Sequence, residues 1–67
     1  MKLNDWRLSK NLSYRGLARK VGANHATIVR RWCLSEEHPQ RLIPNTTYMK
    51  AIMLATDGAV SANDFYN

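Results

Sequence analysis

Basic side chains are the groups in this sequence with the clearest binding chemistry, and they are concentrated in its first half. Residues 1–34 contain eight lysines and arginines and one acid, Asp5, whereas residues 35–67 contain two basic residues and four acids. This asymmetry indicates a polyanionic partner, and nucleic acid is the commonest polyanion for a small domain. A hydrated basic surface that binds nothing is the alternative, and charge alone does not decide between the two.

The remaining reactive side chains do not form a catalytic or metal-binding set. Cys33 is the single cysteine, so an internal disulfide or a cysteine-based zinc site cannot form. His25 and His38 lack a second ligand at metal-binding spacing. Because no set of nucleophile, base and acid is visible, we expect no enzymatic activity, no metal and no cofactor.

A helix over residues 14–21 is expected to carry part of the basic surface. Ser13 precedes it as a residue that can cap the helix N-terminus, and Gly22 follows it where a left-handed C-terminal cap is needed. Its apolar positions recur at the spacing of one helix face: Tyr14, Leu17, Ala18 and Val21. This pattern predicts a short, well-delimited helix with one face against the core.

A second helix is predicted to begin after Asn24, which is another good N-cap residue. Ile28 and Trp32 lie one turn apart and are expected to face the core. Arg30 and Arg31 then lie beside this apolar stripe, on faces that stay available to a partner.

The rest of the chain predicts further short helices and no strand. Helices are expected over about residues 3–10 and 46–55. Residues 34–44 are expected to form a loop between the helix that carries Ile28 and Trp32 and the helix at 46–55. Ser61 and Asp64 have capping-box spacing and predict one last helical turn, anchored by Phe65. The predicted fold class is therefore all-α, a compact bundle of about five short helices.

The two central helices have the spacing of a helix-turn-helix, in which a glycine-centred turn joins two short helices. Ala18, Gly22 and Ile28 supply the small residue, the turn glycine and the aliphatic anchor that such a pair needs. With these residues the chain resembles the Cro/C1-type helix-turn-helix transcriptional regulators of phages and bacterial mobile elements. The tail over residues 54–66, LATDGAVSANDFY, also resembles the closing segment of Cro-like repressors, so the resemblance covers most of the chain.

The chain departs from the pattern of that family at one position. Many family members carry a tryptophan three residues after the aliphatic anchor, whereas here Arg31 holds that place and Trp32 follows it. Both spacings lie on one helix face, so the motif is kept. The shift of the tryptophan by one residue leaves the rotation of the second helix of the motif open by part of a turn.

The resemblance implies a lambda-repressor-like fold and sequence-specific binding to double-stranded DNA, with the second helix in the major groove. With Ile28 and Trp32 inward, the base-reading candidates are Asn24, His25, Ala26, Val29 and Arg30. Arg30 can bind guanine through a fork of two hydrogen bonds. Helix capping by Asn24 and partial burial of Val29 are the alternatives for those two residues. The phosphate-contact candidates are Tyr14, Arg15, Arg19, Lys20, Thr27 and Arg31, some of which can instead be solvated charges.

The whole chain, residues 1–67, is expected to be a single domain whose C-terminal part, about residues 45–67, also serves in dimerisation. Family members usually bind inverted-repeat operators as symmetric homodimers. The dimer-interface candidates are Met49, Ile52, Met53, Phe65 and Tyr66, and burial inside the monomer is the alternative for at least half of them.

The expected function is transcriptional repression, including autorepression, in the cytoplasm, without a membrane segment or a small-molecule ligand. Control of an anti-defence operon, as in anti-CRISPR-associated regulators, is compatible with this size. Two alternatives stay open. One is an antitoxin or an excisionase-like DNA-binding protein; the other is a small inhibitor whose basic face binds an acidic protein.

Overall fold

The computed structural model describes residues 1–66 and is helical throughout its regular elements. Four α-helices are formed: α1 at Leu3–Ser9, α2 at Tyr14–Val21, α3 at Ala26–Cys33 and α4 at Thr46–Ala55. The chain then closes with a 3₁₀ turn at Ala62–Phe65. The predicted all-α class is confirmed, but the predicted number of about five helices is wrong. The last segment is one 3₁₀ turn, because four residues are too few for an α-helix with its own interior bonds.

Local capping fixes the ends of α2 and α4 where the sequence predicts them. Ser13 Oγ accepts a hydrogen bond of 3.0 Å from the backbone N–H of Gly16 at the start of α2. Gly22 ends that helix in the left-handed conformation, with φ of 73°. The Asn45 side chain accepts a hydrogen bond of 2.9 Å from the backbone N–H of Tyr48 and so starts α4. These bonds satisfy backbone groups that helix ends leave without partners.

One hydrophobic core joins all of these elements. Helix α2 packs against both α3 and α4, and α1 packs against α3. The fully buried side chains are Leu17, Val29, Ile52 and Val60. Trp6 and Trp32 are also buried, and for Trp32 this agrees with the inward position that its spacing predicts.

The structure corrects part of the predicted dimer interface. Ile52 and Phe65 are 0% and 3% exposed, so both belong to the core of the monomer and cannot reach a partner. Met49 is half-buried and packs against that core. Met53 and Tyr66 are exposed. Helix α4 is apolar around most of its circumference, and its packing on α2 selects which of these side chains turn inward.

The segment between α3 and α4 has no regular secondary structure, as predicted, but it is tied to the helices. The Arg31 carbonyl accepts a hydrogen bond of 3.1 Å from Leu42 N. Arg31 Nε donates a hydrogen bond of 2.8 Å to the Gln40 carbonyl. Arg41 Nη2 donates to the Phe65 carbonyl at 2.7 Å. The segment is therefore connected at several points to α3 and to the tail.

The turn after α4 is closed by its own polar groups. Thr56, only 5% exposed, donates through Oγ1 to the Ile52 carbonyl at 2.8 Å and accepts from Val60 N at 3.2 Å. The predicted capping box is present, with the backbone N–H of Ser61 donating to Asp64 Oδ2 at 2.8 Å.

None of the helices in residues 1–66 has the length and apolar character that a bilayer-spanning helix needs.

Candidate nucleic-acid interface

The rotation of α3 is set by Val29 and Trp32, which are 0% and 2% exposed and lie three residues apart. Ile28, the expected anchor, is only half-buried. Because successive helical residues are separated by about 100°, the helix side opposite the buried pair is centred on Thr27 and flanked by Arg30 and Arg31. Helix α3 is thus turned by about half of one residue step from the predicted rotation.

The start of α3 lies one residue later than the sequence indicates. His25 is the N-cap residue and makes no side-chain capping bond, while α3 begins at Ala26. Asn24 is exposed in the turn, so its expected capping role is wrong. The backbone N–H of Ala23 donates to the Ala18 carbonyl at 2.9 Å and so closes the C-terminal end of α2. Asn24 lies in the turn that follows, one residue before the N-cap of α3.

The base-reading role predicted for Val29 is wrong, and burial, the alternative for this residue, is what the structure shows. Its side chain has no exposed area and lies in the core beside Trp32, so it cannot contact a partner. Either of the adjacent aliphatic residues Ile28 and Val29 could anchor α3 in the core. The turn between α2 and α3 is one residue longer than predicted, and with this turn Val29 is the residue that faces the core.

A cleft of about 450 Å³ lies between α2 and the beginning of α3. Arg15 and Arg19 form its basic side, one helical turn apart and both exposed. The full lining consists of Arg15, Ala18, Arg19, Ala23, Asn24, His25, Ala26 and Thr27, and includes no acid. The first backbone N–H groups of α3 lie at this cleft without a side-chain cap, and a helix N-terminus carries partial positive charge. The cleft is therefore suited to a phosphate or another anion.

Arg30 lies beyond the cleft on the same exposed side of α3 as Thr27, three residues away. Within the described part of the chain its guanidinium takes part in no hydrogen bond or salt bridge. Its forked donors thus stay available for a planar acceptor pair such as guanine O6 and N7. The predicted residues Ala26, Thr27 and Arg30 form one continuous surface with the basic cleft.

Three of the residues expected at phosphates have other surroundings. Arg31 is half-buried, and its Nε is occupied by the Gln40 carbonyl. Tyr14 is half-buried beneath the guanidinium of Arg7, whose Cζ lies 4.2 Å from the ring centroid. Lys20 lines a different cleft, of about 420 Å³, together with Lys10 and Asp57. The structure thus brings Arg15, Arg19 and Thr27 together and places Lys20 apart from them.

Two surface features go beyond the sequence predictions. Thr27, predicted as a phosphate contact, is the centre of the exposed side of α3, and the three-residue spacing of Val29 and Trp32 is the signal that could reveal this position. Leu54, which is 83% exposed, is absent from the predicted dimer residues.

Cys33, the single cysteine, is half-buried at the end of α3. Burial raises the pKa of the Cys33 thiol to about 11, although the nearby Arg7 guanidinium lowers it by charge and hydrogen bonding. A thiol with this pKa is almost entirely protonated at neutral pH and is a poor nucleophile. Across residues 1–66, no cluster of three or more His, Cys, Asp or Glu side chains is arranged to hold a metal ion.

Comparison of the chain with protein-family models, with curated proteins and with solved structures finds no match. The positions, charges and exposure of the side chains at the cleft and on α3 therefore carry the functional interpretation.

Proposed function

We propose that this protein is a sequence-specific double-stranded DNA-binding regulator of transcription in which α2 and α3 act as a helix-turn-helix. One observation carries the proposal. The exposed side of α3, with Thr27 and Arg30, is continuous with a cleft whose basic side is formed by Arg15 and Arg19 and whose lining contains no acid. A surface of this kind offers charge for the phosphates and a helix for the groove in one place.

In the proposed complex, α3 lies in the major groove. Arg30 binds guanine O6 and N7 through two hydrogen bonds, which supports about 1–3 kcal/mol of discrimination against another base. Thr27, at the centre of the exposed side, offers a hydroxyl to a base edge and a methyl group to thymine. Arg15, Arg19 and the first N–H groups of α3 bind phosphates, which orient the domain without reading sequence.

The active form we propose is a homodimer on an inverted repeat. A domain of 67 residues covers little DNA, so pairing two copies increases both affinity and site length. Two α3 helices about 34 Å apart would enter successive major grooves on one side of the duplex. Met53, Leu54 and Tyr66 are exposed apolar side chains on the α4 and tail side, and they supply the surface for the second copy.

Repression by steric exclusion follows from this arrangement. A dimer bound over a promoter blocks polymerase without any further domain, and autorepression needs only an operator in the protein's own promoter. A reporter driven by the protein's own upstream region should lose expression when the protein is supplied. Unchanged expression would leave DNA binding possible but contradict autorepression.

The decisive experiment is selection of binding sites from random duplex DNA, combined with measurement of the protein's mass in solution and on DNA. Recovery of an inverted repeat bound by two copies supports the proposal. Equal affinity for all duplexes contradicts specific regulation. Salt-sensitive binding to an acidic protein, without preference among DNA sequences, favours the inhibitor alternative instead.

A further inference from the structure

Arg7, on α1, bonds through all three nitrogens of its guanidinium to groups within the fold. Its Nε and Nη2 donate to Asn4 Oδ1 at 3.0 and 2.8 Å. Its Nη1 donates to the Leu12 carbonyl at 2.9 Å. The side chain is half-buried, so the guanidinium is an internal connector of the fold.

The contact with Leu12 is reciprocal and closes the turn between α1 and α2. Leu12 donates its backbone N–H to the Arg7 carbonyl at 3.0 Å, while Arg7 Nη1 donates to the Leu12 carbonyl. Asn11 lies in this turn with φ of 56°, a left-handed conformation that asparagine adopts more readily than other non-glycine residues. The two hydrogen bonds hold the turn in this shape.

Arg7 also acts on the two helices that form the basic cleft. Its Cζ lies 4.2 Å from the ring centroid of Tyr14, the first residue of α2, in cation–π geometry. Helix α1 packs against α3, and the charge and hydrogen bonding of Arg7 partly offset the burial that raises the pKa of Cys33, the last residue of α3. One side chain on α1 is therefore linked to the beginning of α2 and to the end of α3.

We infer that Arg7 is a positioning residue: it holds the first turn of α2 against the end of α3, and it thereby sets the placement of Arg15 and Arg19 relative to the exposed side of α3. In this inference Arg7 contacts no phosphate itself, because its side chain is half-buried and three of its five N–H donors bond to Asn4 and Leu12. The part of the inference that concerns DNA rests on the proposed function, whereas the part that concerns helix placement does not.

The helix-placement part is tested without DNA. Arg7→Lys keeps the charge but loses the fork, and Asn4→Ala removes one acceptor while leaving Arg7 intact. In both variants hydrogen exchange of the Leu12 amide should accelerate, on the order of tenfold, relative to amides inside α4. The Arg7 Nε proton, which lies near the Tyr14 ring, should lose a ring-current shift in Tyr14→Leu. Unchanged exchange at Leu12 in both variants would overturn the inference.

The DNA part is tested by the salt dependence of binding to the selected site. Arg7→Lys and Asn4→Ala should weaken binding several-fold with the slope of log affinity against log salt unchanged. Arg19→Ala is the control and should flatten that slope by about 1 for each copy bound. If Arg7→Met flattened the slope as Arg19→Ala does, Arg7 would be a phosphate contact and the positioning role would be wrong. If the wild-type protein bound no duplex, the proposed function would fail while the exchange measurement still decided the role of Arg7.

Discussion

Val29 and Trp32 lie three residues apart on the one buried side of α3, and their burial turns Thr27 to the centre of its exposed side. This relationship determines which residues of α3 a binding partner could contact. It also explains why the rotation of α3 differs from the predicted one, since either of the adjacent aliphatic residues Ile28 and Val29 could face the core.

The rotation predicts an unequal cost for truncating those two aliphatic residues. Val29→Ala should lower the free energy of unfolding by about 2–3 kcal/mol, because it opens a cavity in a fully buried site. Ile28→Ala removes more carbon atoms but should cost about 1 kcal/mol, since that side chain is half-exposed. Denaturant unfolding measures both. A larger loss for Ile28→Ala would mean that α3 is rotated as the sequence first suggested.

The parts of the fold that the sequence predicts well are those fixed by neighbouring residues. Ser13 and Gly22 delimit α2, and Asn45 starts α4, because caps act within three or four positions along the chain. The rotation of α3 depends on how long the preceding turn is and on how α3 packs against α2. Neither of these is a local property of the chain.

The same limit applies to the surface of α4. Ile52 and Met53 are adjacent and similarly apolar, yet one is 0% and the other 41% exposed. Only the packing of α4 on α2 distinguishes them. At the candidate site, the basic charge and the exposure of Arg30 are predictable from the sequence, and burial of Val29 is one of the two alternatives that it leaves open. The central place of Thr27 follows only once the packing of α3 decides between Ile28 and Val29.

Gly22 should tolerate asparagine better than alanine. Its φ of 73° is left-handed, and a Cβ built there meets no atom within 4 Å, so the cost of a side chain is conformational and not steric. Gly22→Ala should lower the free energy of unfolding by about 1–2 kcal/mol. Gly22→Asn should cost less, because asparagine adopts this conformation more readily. Thermal unfolding of both variants provides the measurement, and equal losses would contradict a conformational origin.

Asp64 should make stability depend on pH in the acid range. The backbone N–H of Ser61 lowers the pKa of Asp64 below its ordinary value of 3.8, and the amino group of Met1 acts in the same direction. A carboxyl group whose pKa is lower in the folded state adds stability above pH 3.8 that is lost as the pH falls through the folded pKa. Asp64→Asn should therefore flatten the fall of Tm between pH 5 and pH 2.

The control for Asp64 is Glu37→Gln, which removes an exposed acid of the loop. This variant should retain the wild-type profile of Tm against pH. If Glu37→Gln flattened the profile as much as Asp64→Asn, the acid dependence would come from general charge and not from the capping box.

The exposed apolar residues of α4 and the tail predict that a mutation on this surface weakens the contact between two copies of the chain. Tyr66 lines a groove with Met49 and Lys50, and Met53 lies one turn further along α4. Under the proposed dimer, Met53→Asp should raise the dissociation constant of the dimer at least tenfold, because it places a charge in an apolar contact. Its helical content should not change, since the side chain is 41% exposed. Sedimentation equilibrium gives the mass of each variant.

Leu8→Asp is the matched control for that experiment. Leu8 is also an exposed apolar residue, at 59%, but it lies on α1. A protein that dimerises through α4 and the tail should keep its dimer in this variant. Loss of the dimer in Leu8→Asp with retention in Met53→Asp would move the contact to α1.

Arg30 and Arg19 should respond differently to mutation if α3 reads bases and α2 contacts phosphates. Arg30→Ala should reduce discrimination at one base pair of each half-site by about 1–3 kcal/mol and leave the other positions unchanged. Arg19→Ala should weaken binding to all sequences alike and flatten the salt dependence by about 1 for each copy. Arg30→Lys keeps the charge without the fork, so it should lose base discrimination while it retains the wild-type salt dependence. Binding to the selected site and to its single-base variants, measured at several salt concentrations, separates these outcomes. If Arg30→Ala behaved like Arg19→Ala, Arg30 would be a phosphate contact, and Thr27 would be the residue of α3 to test next for base recognition.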